Sequence, residues 1–129
     1  MRLLFIDDSP DDAELVASHL RRFGFDFTFQ VVDSQEDLAR ALEETSWSAV
    51  LSDYNMPGFA VERALTMVRE HNADLPFIVV SGMIGEEKAV DLIRAGASDF
   101  VGKDRLGRLG PALQRELRDV QLRVERRSL

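Results

Sequence analysis

Four short apolar runs in this chain each end abruptly in a polar or charged residue, and that recurrence limits the folds open to it. Leu3-Leu4-Phe5-Ile6 stops at Asp7-Asp8. The run from Trp47 to Leu51 leads to Asp53, and Pro57-Gly58 then turns the chain. Phe77-Ile78-Val79-Val80 stops at Ser81-Gly82, and Asp99-Phe100-Val101-Gly102 stops at Lys103. Apolar runs of this length, bounded by turn residues, suit strands buried on both faces, as in a parallel sheet. The carboxyl ends of parallel strands share one rim, so Asp7, Asp8, Asp53, Ser81 and Lys103 are expected to converge there.

Helical patterns fill the intervals. Strand 1 is expected over about 2–6. Ser9-Pro10-Asp11-Asp12 supplies an N-cap, a proline at the first helical position and acids in the first turn. Helix 1 follows, with Ala13, Val16, Leu20 and Phe23 on one face, and stops at Gly24. Phe25, Phe27, Phe29 and Val31 alternate through strand 2 (about 26–32), which places that strand at an edge. Ser34 and Asp37 open helix 2, with Leu38, Ala41 and Leu42 inward. Strand 3 (48–52), helix 3 (60–71, with Ala64, Leu65 and Val68 inward), strand 4 (76–80), helix 4 (85–95), strand 5 (98–102) and a last helix (111–126) complete the series. The alternation predicts an α/β fold, a doubly wound five-stranded parallel sheet of (βα)5 form with right-handed crossovers.

At 129 residues the chain fits one domain, 1–129. It has no cysteine, hence neither disulfides nor a thiolate site. No apolar run approaches the ~18 residues of a membrane span, and the N-terminus does not resemble a secretory leader. A cytoplasmic domain without membrane contact is expected. The net charge of −7 argues against direct nucleic-acid binding, although the charge is uneven: 19 acids against 8 bases before Lys103, and 4 against 8 from there onward. Neither a GxGxxG fingerprint nor a Walker phosphate loop is present.

Three carboxylates on one rim repel. At an effective dielectric of ~20, two of them ~4 Å apart cost roughly 4 kcal/mol, so Asp7, Asp8 and Asp53 call for a cation. An all-oxygen, partly hydrated site suits Mg²⁺, or Mn²⁺ in its place. Asp53 would then be both ligand and nucleophile toward a phosphoryl group, with Lys103 and Ser81 available to its other oxygens.

Taken together, Ile6-Asp7-Asp8-Ser9, Ser52-Asp53-Tyr54-Asn55-Met56-Pro57-Gly58, Ser81-Gly82 and Lys103 resemble the receiver domains of two-component response regulators, over essentially the whole chain. The resemblance implies a flavodoxin-like strand order of 2-1-3-4-5 and a phosphoacceptor switch rather than a turnover enzyme. It implies Asp53 as phosphoacceptor, Asp8 as direct Mg²⁺ ligand, Asp7 as ligand through water, and the backbone carbonyl of Asn55 as a further ligand. Ser81 and Lys103 would contact the phosphoryl group, and Ser81 with Phe100 would form the switch. The implied partners are a histidine kinase or phosphotransfer protein, a second copy through helix 4, strand 5 and helix 5, and a covalently linked output domain. Two positions depart from the family pattern: Asp104 stands where a cis proline usually follows the lysine, and Met83 is apolar where many receivers are polar.

Two other classes compete. A Mg²⁺-dependent aspartyl-phosphate phosphatase needs an acid two residues beyond its nucleophile, and Asn55 stands there. A phosphorylation-independent interaction module would be expected to lose an acid or the lysine, and all are present. Along the last helix, Leu113, Leu117, Val120 and Val124 continue an apolar spacing to the end. From Pro111 to Arg126 it would span ~24 Å at ~1.5 Å per residue, against ~17–20 Å for a small sheet's strands. Its last turn is therefore expected to overhang, with Arg126 and Arg127 solvated.

Overall fold

A computed structural model describes residues 1–82 and 85–128, without the side chain of Glu86. Met83, one of the two departures from the family pattern, lies outside the described residues, as does Leu129. The chain alternates strand and helix: β1 (Arg2–Ile6), α1 (Pro10–Phe23), β2 (Thr28–Val32), α2 (Gln35–Glu44), β3 (Ala49–Asp53), α3 (Val61–His71), β4 (Phe77–Ser81), α4 (Glu86–Arg94), β5 (Asp99–Gly102) and α5 (Leu109–Ser128). All strand pairings are parallel, in the order β2-β1-β3-β4-β5. The expected fold class and strand order both hold.

Two apolar layers cover the sheet. On one face Leu3, Phe5, Leu51, Ile78 and Val101 meet α1 and α5 through Val16, Leu20, Leu109 and Leu113. On the other, Leu4, Ile6, Val50, Phe77 and Val79 meet α2, α3 and α4 through Leu38, Leu42, Leu65, Val68 and Leu92. Consecutive residues of the central strands enter opposite cores, which is why those strands are apolar throughout. Ser9 and Ser34 cap α1 and α2 as expected, accepting from the backbone N–H of Asp12 and Asp37. Gly24 ends α1 at φ +120°, a conformation that favours glycine.

Several boundaries move, with consequences for the rim. β3 and β4 extend one residue beyond expectation, to Asp53 and Ser81, because both still pair in the ladder: Asp53 faces Val80 and Ser81 faces Gly102. The two polar residues are therefore held by the sheet rather than by loops. Pro76 stands just outside β4, where its carbonyl accepts from Val50 N–H. β2 starts at Thr28, so Phe25 and Phe27 precede it. Within the strand Val32 is buried and Val31 exposed, as the alternation of an edge strand allows. Phe23 is not core; it is 44% exposed and lies over Gly110, where any Cβ would collide with its ring.

The C-terminal region departs most. Residues Lys103–Arg108, expected as a turn, form a 3₁₀ helix interrupted at Arg105, whose φ −133° and ψ 42° are not helical. α5 then runs from Leu109 to Ser128, with Pro111 at its third position rather than near its first. The opening N–H groups of a helix have no intrahelical partner, so a proline anywhere in that turn loses nothing. Burial fades along α5: Leu113 is buried, Leu117 is partly covered, and Leu122 and Val124 are about half exposed. The end does not hang free. Arg127 donates to both carboxylate oxygens of Asp74 in the α3–β4 connection, and Arg123 Nε lies 3.5 Å from Oδ1 of the same residue. Arg127 is thus paired, not merely solvated. Nearby, Arg69 stitches the lower edge of the sheet by donating to the carbonyls of Leu75 and Gly96.

Candidate functional site

The carboxyl ends of β1, β3, β4 and β5 bring the expected residues onto one rim. Asp7 follows β1 directly, and its backbone N–H donates to the carbonyl of Val32, the last residue of β2. Asp7, Asp8 and Asp53 each place a carboxylate oxygen within 4.8 Å of the others. Asp7 and Asp53 are buried and Asp8 is exposed, so the cluster opens to solvent on one side. Asp7 and Asp53 share a small hollow walled by Phe5, Val16, Leu51 and Val80.

Burial in that apolar hollow pushes the Asp7 carboxyl up to about 6; the N–H of Ser9, donating to its Oδ1 over 2.9 Å, pulls the other way, and the charge of Asp53 reinforces the rise. Three oxygen donors with one open side match a small hard cation that retains water. Asp7, Asp8 and Asp53 would hold such an ion. Asn55 lies next to them, its N–H 3.5 Å from Asp53 Oδ1.

Lys103 reaches into the cluster from the first residue of the 3₁₀ helix. Its Nζ is 3.5 Å from Asp53 Oδ1 and 2.8 Å from Asp12 Oδ2. Burial lowers its proton affinity, but the hydrogen bond to Asp12 and the charges of Asp53, Asp12 and Asp7 outweigh that and raise it overall. The ammonium therefore stays charged. Asp12 is a member of the site to which the sequence does not point. An acid in the first turn of a helix complements the helix dipole in any protein, so nothing in the local sequence sets this one apart.

Ser81 is fully buried, and its Oγ has no hydrogen-bond partner among the described residues. A buried hydroxyl left unpaired costs about 1–3 kcal/mol, and here it stands on the strand beside Asp53. Ser52, by contrast, is buried but satisfied, donating to the carbonyl of Asp53. Phe100 is half-buried against the core beneath α4, one strand out from Val79. On the outer flank Lys88 of α4 lies 5.7 Å from the centre of the Tyr54 ring. No peptide bond among the described residues is cis, including the one joining Lys103 to Asp104.

The class is thus a doubly wound parallel α/β domain that carries an acid cluster, a lysine and an unpaired serine on its carboxyl rim. More specifically, the chain belongs to the response regulator receiver domains, whose family model matches residues 3–114. It is 31% identical over 105 residues to the chemotaxis protein CheY of Bacillus subtilis, covering 79% of this chain and 84% of that one. It is 29% identical to the response regulator protein FleR of Pseudomonas aeruginosa over 79% of this chain, but that match is only 21% of FleR. Among solved structures, NtrX from Brucella abortus superposes with a TM-score of 0.84 at 26% identity, covering 98% of this chain and 28% of that one. The receiver domain of a LuxO repressor protein from Vibrio parahaemolyticus gives 0.83 at 22% identity, covering 95% and 93%. The chain thus spans between 16% and 43% of the longer regulators it matches. Receiver domains are signalling domains of two-component systems that work with histidine kinases or phosphotransfer proteins and generally use Mg²⁺. No helix among the described residues is long and apolar enough to cross a membrane.

Proposed function

We propose that this chain is a phosphoacceptor switch in which Asp53 takes a phosphoryl group from a histidine kinase or phosphotransfer protein. The observation that carries the reading is the approach of Lys103 Nζ to within 3.5 Å of Asp53 Oδ1, inside a cluster of three carboxylates. In the transfer an oxygen of Asp53 attacks phosphorus, and the P–N bond to the donor imidazole breaks. The electron pair leaves with the imidazole, which takes a proton from water. Asp8, Asp53 and the backbone carbonyl of Asn55, with Asp7 through water, would hold Mg²⁺, which would supply positive charge to the carboxylates and the phosphoryl oxygens.

The chain's own residues do the rest. Lys103 supplies a cation to one phosphoryl oxygen, and the Ser81 hydroxyl, without a partner among the described residues, donates to another. Pulling Ser81 toward the phosphoryl group opens space behind β4, and Phe100 turns inward to fill it. The surface of α4, β5 and α5 is thereby altered for a second copy or an output domain. Phosphorylation shifts a population, because the phosphoryl group makes contacts in one arrangement that it lacks in the other.

Intact-mass spectrometry after acetyl phosphate treatment tests the assignment. A phosphoryl adduct is expected with Mg²⁺, and none in EDTA or in Asp53→Asn. An undiminished adduct in Asp53→Asn would refute it.

A further inference from the structure

The Lys103 ammonium is shared, and its nearer partner is not the candidate phosphoacceptor. Nζ lies 2.8 Å from Asp12 Oδ2 and 3.5 Å from Asp53 Oδ1. Asp12 is 91 residues away in sequence, on the first turn of α1, so the fold alone creates this contact. The cation cluster is complete without it: Asp7, Asp8 and Asp53 supply the oxygens, and Asp12 is not among them. Nor is Asp12 the cap of α1: Ser9 holds that place, accepting from the Asp12 backbone N–H, and Asp11 also stands in the first turn to complement the helix dipole.

Two anionic acceptors therefore compete for one cation. A phosphoryl group on Asp53 would place its oxygens beyond the carboxylate, and the lysine must turn toward them. We propose that Asp12 is a positioning residue acting through Lys103: in the resting state it draws the ammonium toward α1 and opposes its transfer to a phosphoryl group on Asp53. The proposal rests on Asp53 being the phosphoacceptor. Whatever free energy the ammonium has with Asp12 in the resting arrangement is subtracted from the gain on phosphorylation, because a ligand shifts an equilibrium only by its differential interaction with the two states. Charge-assisted bonds are the strong ones, so even a half-exposed pair weighs on the balance.

Asparagine at position 12 keeps the shape and removes the charge. Its amide oxygen is a weaker acceptor for the ammonium, and no negative charge remains there to repel the incoming anion. The second effect does not need the lysine and the first does, so a double-mutant cycle separates them. Fluoroberyllate, which stands in for a phosphoryl group, is titrated with Mg²⁺ into the parent, Asp12→Asn, Lys103→Met and the double variant, and binding is read by ¹⁹F NMR. Asp12→Asn is expected to bind roughly three- to fivefold tighter than the parent, the scale of a partly exposed ion pair, with a smaller gain when Lys103 is methionine. Equal or weaker binding by Asp12→Asn overturns the proposal. So does the same gain with and without the lysine amine, which would reduce Asp12 to a distant charge. A parent that binds no fluoroberyllate overturns the phosphoacceptor reading itself, and this proposal with it.

Discussion

Removing the charge of Asp7 should stabilise the metal-free protein, and the size of the effect should depend on pH. In the fold its carboxyl is raised from 3.8 to about 6, first by burial in the apolar hollow. In the unfolded chain it titrates near its ordinary ~3.9. A carboxyl raised by folding is tolerated while neutral and penalised once charged. Its contribution is therefore intact below ~4 and is lost as pH rises through about 6. Every tenfold change in proton affinity is worth ~1.4 kcal/mol, so the full loss approaches ~3 kcal/mol, and water at the open rim brings it nearer ~1–2. Asp7→Asn mimics the neutral form at every pH. In EDTA, urea melts followed by Trp47 fluorescence should find Asp7→Asn and the parent similar near pH 4.5. The variant should gain an advantage of ~1–2 kcal/mol by pH 7. Subtracting the variant removes the titration of the other acids. A difference that stays flat from pH 4.5 to 7, or that favours the parent at pH 7, would refute the claim that the fold holds Asp7 against its charge. With Mg²⁺ the sign should reverse, since the ion binds the charged carboxylate.

Four further outcomes are expected. Asp8→Asn, which relieves repulsion on the exposed side of the cluster, should stabilise the protein in EDTA by about 1 kcal/mol and weaken Mg²⁺ binding; thermal melts with and without Mg²⁺ check both. Ser81→Ala removes a buried hydroxyl that has no partner, so the metal-free melting temperature should hold or rise while fluoroberyllate binding weakens about tenfold, in line with a charge-assisted bond of ~1.5 kcal/mol or more; a marked fall in melting temperature would show that the hydroxyl is satisfied. Asp74→Ala should leave global stability unchanged while amide exchange quickens over residues 120–128, because only the arginine clasp is lost; unchanged exchange would mean the last turns never relied on it. Crystal structures with and without fluoroberyllate should show different Phe100 rotamers and α4 positions, and identical ones would remove Phe100 from the switch.

The parts of the fold that sequence exposed were those set by local rules. Solid apolar runs gave the inner strands, Ser9 and Ser34 announced their helices, and Gly24 marked the end of the first. The rim followed, since strand-end residues must share an edge once the strands are parallel. What stayed hidden depended on contacts between distant segments. Asp12 is chemically indistinguishable from Asp11 until the sheet brings Lys103 beside it. Asp74 became a clasp only because α5 runs to Ser128 and returns Arg123 and Arg127 to the α3–β4 connection. Phe23 carried the right spacing for the core, yet its ring lies half exposed over Gly110, whose missing Cβ admits it. Nor does any sequence pattern reveal that the hydroxyl of Ser81 lacks a partner, because that depends on every neighbouring atom.

The interruption at Arg105 separates two mechanical parts that an unbroken helix would have fused. Were Lys103 the first residue of one rigid rod ending at Ser128, any travel of its ammonium would lever a 20-residue helix and strain the arginine clasp at the far pole. A single non-helical residue breaks the rod between them. The short arm sets the Lys103 ammonium between α1 and β3, while buried Leu109 and Leu113 seat the long arm on the sheet. The lysine and α5 thus do not share one continuous helical backbone. α5 packs on the Lys103–Arg108 segment, on α1 and on the core side chains of β4 and β5, so movement at the rim has several lateral routes to it.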